Sequence, residues 1–169
     1  MTPSSCKALA AASGLLALSA LLYVTAKDTP APPLSHEVTT ELLTSVARSI
    51  HARDVPSLLS VTTNSSELFG MRRERAEFAI RRAMREAAGA RLDLTWRNLE
   101  VRPSPSGAGI AEFDAVLSEM IGHTRAVYLE THVVLRLVKT PITRWFGLWT
   151  EEEWRIDSAS SAMDLLTGD

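Results

Sequence analysis

Val127 to Val138, VYLETHVVLRLV, is the stretch whose reading decides the fold. Val127, Leu129, Val133, Leu135 and Leu137 stand at every second position, interrupted only by Thr131, and Tyr128, Glu130, His132, Val134, Arg136 and Val138 fill the places between. Successive side chains of a strand point to opposite faces, so this period of two predicts a long β-strand with one apolar face and one mixed face.

Its neighbours read the same way. Ile110 to Met120 sets Ala111, Phe113, Ala115 and Leu117 against Glu112, Asp114, Val116 and Ser118, and Leu148 to Asp157 alternates through Thr150, Glu152, Trp154 and Ile156. From Arg91, the residues Leu92, Leu94 and Trp96 share one parity while Leu99 and Val101 share the other. A bulge near Arg97 and Asn98 would return all five to one face and bend the sheet. Gly122-His123-Thr124 makes a short connection, so the four strands should pair in order as an antiparallel meander.

Upstream, the period changes to that of helices. Val38, Leu42, Val46 and Ile50 recur every four residues behind Ser35, a good N-cap. Arg53-Asp54-Val55-Pro56 breaks that helix, and Asp54 can cap a short second one carrying Leu58, Leu59 and Val61. A third helix is expected within 64–88, with Asn64 and Glu67 at capping-box spacing, Gly70 allowing a start one turn later, and Gly89 as a C′ residue. Its apolar stripe is Phe69, Ala76, Ala79, Ile80, Ala83, Met84 and Ala87. Six arginines, Arg72, Arg73, Arg75, Arg81, Arg82 and Arg85, crowd the rest against Glu74, Glu77 and Glu86. That surplus suits contact with anionic headgroups or an acidic partner, or a solvated face with pairs such as Glu77 and Arg81.

The fold class is therefore α+β: three N-terminal helices packed on a curved, mainly antiparallel four-stranded sheet. With 169 residues, of which 46% are hydrophobic and 22% charged, the chain can bury one core. Residues 8–26 carry no charge and follow Lys7, the outline of a signal peptide ending at Val24-Thr25-Ala26 or of an uncleaved membrane anchor. Either places the rest outside the cytoplasm. Residues 27–35 form a Pro-rich linker, 36–158 the folded domain and 159–169 a C-terminal tail. A net charge of −2 argues against nucleic acid as a partner, and Cys6, the sole cysteine, excludes an internal disulfide. No HExxH, GxGxxG, P-loop or GxSxG is present, so neither a metal nor a cofactor is expected.

Ala52-Arg53-Asp54 with Leu58-Leu59, followed by a bent sheet ending in Trp149 and Trp154-Arg155-Ile156, resembles the cone-like fold of the nuclear transport factor 2-like (SnoaL-like) superfamily. The resemblance covers about 35–158. It implies a cavity between helices and sheet that members use for catalysis, binding or assembly; fold alone does not choose among these.

Three functions follow as expectations. The first is a non-enzymatic module that binds a small apolar ligand or a protein partner at the cavity mouth, through Trp145, Phe146 and Trp149 with Trp96 and Trp154, since exposed aromatics bury large area at low entropic cost. The second follows the isomerases and dehydratases that share the fold and need a base of shifted pKa in a dry pocket. Glu152, on the apolar parity of the last strand, is one candidate base; Tyr128, Glu130 and His132, across from Glu112 and Asp114, are the other acid/base set, or else a solvated outer face. The third is a homodimerising assembly module of an envelope complex, resembling VirB8-like proteins and held to the membrane by residues 8–26.

Overall fold

Ser35 begins the helical layer as expected: its Oγ accepts the Val38 N–H at 3.2 Å and its carbonyl accepts the Thr39 hydroxyl at 2.9 Å. The structure is a computed structural model and describes residues 29–87, 90–104, 107–121, 124–144 and 149–161. The leader 8–26, Gly89, His123, Trp145, Phe146 and the tail beyond residue 161 lie outside the described residues.

Helix α1 spans His36–Ala52 and buries Leu43. It ends at Arg53, whose φ of 56° turns the chain sharply. Asp54 then caps α2, Val55–Ser60, by accepting the Ser57 N–H at 3.1 Å, and Pro56 fits the first turn. The Arg53 guanidinium donates to the carbonyls of Met84, Ala87 and Ala90. Ala87 is the C-cap of α3, Arg73–Glu86, so a cation sits on the orphan carbonyls at the negative end of that helix. The Arg53-Asp54 pair thus ends one helix, starts a second and caps a third.

The segment expected to begin the third helix folds differently. Thr62–Leu68 is strand β1 and Met71–Arg72 is strand β2, antiparallel to it through Leu68 opposite Met71. Phe69 and Gly70 between them have φ of 51° and 70°, and a two-residue hairpin of the favoured twist needs positive φ at both central positions. Thr62 and Thr63 are β-branched, and Asn64, Ser65 and Ser66 compete with the helix for backbone hydrogen bonds, which outweighs the capping-box spacing. Of the described residues in this segment, only 73–86 are helical.

The four expected strands are present as β3 (Arg91–Pro103), β4 (Ala108–Ile121), β5 (Thr124–Arg144) and β6 (Trp149–Ser161). With β1 and β2 the sheet has six strands, not four, in the order β2-β1-β6-β5-β4-β3. β3/β4 and β4/β5 pair antiparallel, whereas β1 lies parallel to β6, with Thr62 opposite Ile156. The β3/β4 register slips between Arg97 and Glu100, and Asn98 takes φ 56°, which is the bulge the parity switch required.

The chain divides into two compact units. The larger holds residues 32–140 and those from 154 onward; the smaller includes 29–31, 141–144 and 149–153. In the larger unit Leu43 and Ala76 meet Ala111, Phe113, Val133, Leu135, Leu137 and Ile156 in one core. The linker residue Leu34 packs against that core, and its Cδ2 lies where a Cβ on Gly109 would stand, 1.9 Å away, so glycine there makes room for it. The apolar face of β5 is buried only in part: Val133, Leu135 and Leu137 are inside, but Val127 and Leu129, nearer the strand's start, are 59% and 45% exposed. In the smaller unit Thr29 bridges to Glu151, and Arg144 pairs with Glu151 and Glu153.

Candidate functional site

Between the helices and the sheet of the larger unit lies a cavity of about 560 Å³. The periodicities read from the sequence build its walls. Leu43, Val46 and Ile50 come from successive turns of α1, and Ile80, Ala83 and Met84 from one face of α3. From the sheet, Leu94, Leu117 and Leu129 sit in register across β3, β4 and β5, followed by Ala115 opposite Thr131 and Phe113 opposite Val133. β1 adds Thr62 and Leu68, and the hairpin adds Phe69.

The lining is almost wholly hydrocarbon. Its hydroxyl groups belong to Thr62, Thr131 and Ser161. Thr62 donates to the Leu59 carbonyl at 2.8 Å, Thr131 donates to the His132 carbonyl at 3.4 Å, and Ser161 is also partnered. No described lining residue carries a side chain that titrates. Phe69 and Leu129 both line the space and are 43% and 45% exposed, which puts them at its rim.

The residues nominated as acids and bases stand elsewhere. Tyr128, Glu130 and His132 occupy the exposed face of β5, and Tyr128 is 62% exposed. There His132 Nδ1 meets Asp114 Oδ1 at 3.0 Å, the Asn98 amide donates to Asp114 Oδ2 at 2.7 Å, and Arg97 pairs with Glu130. The His132 and Asn98 hydrogen bonds hold the Asp114 carboxyl below the usual aspartate range, which makes it a weaker base. This set is a solvated network of cross-strand pairs.

Glu152 belongs to the smaller unit. It lies in a separate cleft of about 310 Å³ with Thr29, Pro30, Pro141 and Thr150, and its carboxylate accepts the Ala31 N–H at 3.3 Å. Alternation along β6 assigns it the apolar parity, yet it does not line the cavity.

The tryptophans also do other work. Trp96 and Trp154 are half-buried against the core. The Trp154 indole donates to the Pro32 carbonyl at 2.8 Å, and Lys139 Nζ stands 5.4 Å from its ring centre. Trp149 is half-buried in the smaller unit. None of these three lines the cavity. Conversely, Thr62, Leu68, Phe69, Ala159 and Ser161 line it, although the first three lie where helix is expected or just before it, and the last two fall in the expected tail. The Thr-rich run ahead of Phe69-Gly70 is the available signal for β1.

Among the described residues, no group of three His, Cys, Asp or Glu side chains is placed to hold a metal ion. No described helix is long and apolar enough to cross a membrane.

No protein-family model matches the sequence, and no curated protein matches it. Solved structures do. Aln2 from a Streptomyces species superposes with a TM-score of 0.64 at 17% identity, over 82% of this chain and 97% of Aln2. An NTF2-like protein with a cystatin-like fold from Novosphingobium aromaticivorans gives 0.57 at 17%, over 79% and 82% of the two chains. A protein from Catenulispora acidiphila, solved in complex with S-DNPA, gives 0.58 at 11%, over 78% and 96%. Helices on a mixed six-stranded sheet, a bulged β3 and these superpositions agree: this chain has the nuclear transport factor 2-like, cystatin-like α+β fold.

Proposed function

We propose that the protein is a non-enzymatic binding module that takes up one neutral, apolar small molecule in the cavity of its larger unit. The observation that carries this reading is the lining: about 560 Å³ walled by aliphatic and aromatic side chains, with the Thr62 and Thr131 hydroxyls already bonded and no titratable side chain among the described lining residues. That volume falls within the ~300–1,000 Å³ of pockets that enclose drug-sized molecules. A charged ligand would lose its hydration without gaining a partner, whereas a hydrocarbon skeleton loses nothing. The Catenulispora neighbour was solved with S-DNPA, which supports occupancy of this fold by a ligand. The charge-free run 8–26 supports work outside the cytoplasm, with the chain exported or held at a membrane.

Acid/base chemistry is less favoured. Glu152 is engaged with Ala31 in the smaller unit, and the His132–Asp114 set faces water. General acid/base catalysis needs such groups against the reacting atoms.

Titration with N-phenyl-1-naphthylamine, a neutral apolar fluorophore, tests the reading. Saturable binding at one site, displaced by neutral terpenoids and not by short-chain carboxylates, is the expected result. Absence of saturable binding, or equal displacement by the carboxylates, would overturn it.

A further inference from the structure

The outer face of α3 carries an aromatic that the core does not use. Phe78 is 65% exposed, while Ala76 two residues earlier is 1% exposed. At 100° per residue, Ala76, Ile80 and Met84 form the inward stripe, and Phe78 lies about 160° from its middle. Arg75, Arg82 and Arg85 flank Phe78 within about 60° on that outer face. All three are exposed.

Charge around Phe78 is biased. Residues 72–86 hold six arginines against three glutamates. Glu77 pairs with Arg81 at 2.7 Å and Glu86 with Arg82 at 2.7 Å. Arg72, Arg75 and Arg85 have no ion-pair partner among the described residues. Leaving a phenylalanine in water beside Arg75 and Arg85, two cations without an ion-pair partner among the described residues, contributes nothing to folding; a surface that is anionic outside and apolar beneath would receive both.

We propose that this face of α3 docks on the headgroup layer of an anionic membrane, with Phe78 entering the interface and Arg75, Arg82 and Arg85 on the headgroups. Two observations favour a lipid surface over an acidic protein. The apolar element is one projecting ring, as interfacial insertion uses. In addition, Pro32, the first residue of the larger unit, follows the charge-free run 8–26 by six residues, a reach of at most about 21 Å. If that run stays in the bilayer, the tether keeps the helix at high effective concentration beside it.

The test uses the full chain with Cys6→Ser and Phe78→Cys, labelled at residue 78 with bimane, an apolar fluorophore in place of the ring. A Thr44→Cys label on the exposed side of α1 serves as control. Both are placed with vesicles of phosphatidylcholine alone or mixed with phosphatidylglycerol. The proposal predicts a blue shift at residue 78 only on the mixed vesicles, reversed by 1 M salt, where screening falls to ~3 Å. Residue 44 should stay unchanged. Replacing Arg75, Arg82 and Arg85 together by Gln should lower the docked-to-free ratio roughly a hundredfold, about fivefold for each arginine. No shift at residue 78 on the mixed vesicles, or the same shift on phosphatidylcholine alone, overturns the proposal. So does a shift produced by soluble poly-glutamate, which would assign the face to an acidic polypeptide.

Discussion

Replacing Ala115 by Leu separates an open cavity from a filled core by the sign of one number. Ala115 lies on β4 opposite Trp96 and Thr131, 8% exposed, and its side chain borders the cavity. In a close-packed interior, three added carbons force neighbours off their rotamers and cost ~1–3 kcal/mol. Here the new atoms enter empty space. At ~0.8 kcal/mol per buried methylene they would stabilise by up to ~2.4 kcal/mol, of which about 1–2 should survive the ordering of the leucine side chain. The two accounts therefore differ by roughly 3 kcal/mol, well above the error of urea unfolding compared at constant m. The same substitution removes space from the ligand, so affinity for N-phenyl-1-naphthylamine should fall at least tenfold, about 1.4 kcal/mol. A variant destabilised by ~1–3 kcal/mol, or one stabilised with unchanged probe affinity, would refute the reasoning.

Other perturbations test neighbouring parts of the account. Leu137 is fully buried in the core and does not border the cavity, so Leu137→Ala should cost ~2–5 kcal/mol by urea unfolding. Arg53→Ala should cost ~2 kcal/mol or more, because it leaves the α3 carbonyls without their charged donor, and hydrogen exchange should rise first over residues 80–87. Asp114 should titrate by carbon-detected NMR below the usual aspartate range, and His132→Ala should move its midpoint upward. A carboxyl whose folded-state pKa is depressed adds stability at pH above its unfolded value and loses it as pH falls through the folded one. The advantage of the natural chain over Asp114→Asn should therefore be present at neutral pH and vanish in acid.

The parts of the fold written in local chemistry were legible. The caps at Ser35 and Asp54 follow from residue type, and the bulge at Arg97 and Asn98 follows from the parity switch between Trp96 and Leu99. Strand β1 was not, because what holds it is a parallel pairing with β6 some ninety residues away, while its local Asn64 and Glu67 spacing mimics a helix start. Apolar alternation marked the cavity's sheet wall correctly, but it says nothing of how far the helices reach along a strand, so Val127 and Leu129 looked as buried as Leu135. Residue type also points away from the site. Trp96 and Trp154 pack against the core, and the histidine and carboxylates of β4 and β5 pair with one another in water. Phe78 escapes notice in the sequence because it falls outside the apolar stripe, the very property that exposes it.

The central claim, a single apolar site between the helices and the sheet, is tested most directly by methyl NMR during titration with N-phenyl-1-naphthylamine. The account predicts that the methyl groups of Leu43, Leu94, Val133, Leu135 and Ile156 shift together and saturate at one equivalent, with those of Val55 unmoved. Shifts confined to the exposed Val127, or shifts that grow without saturating, would contradict it.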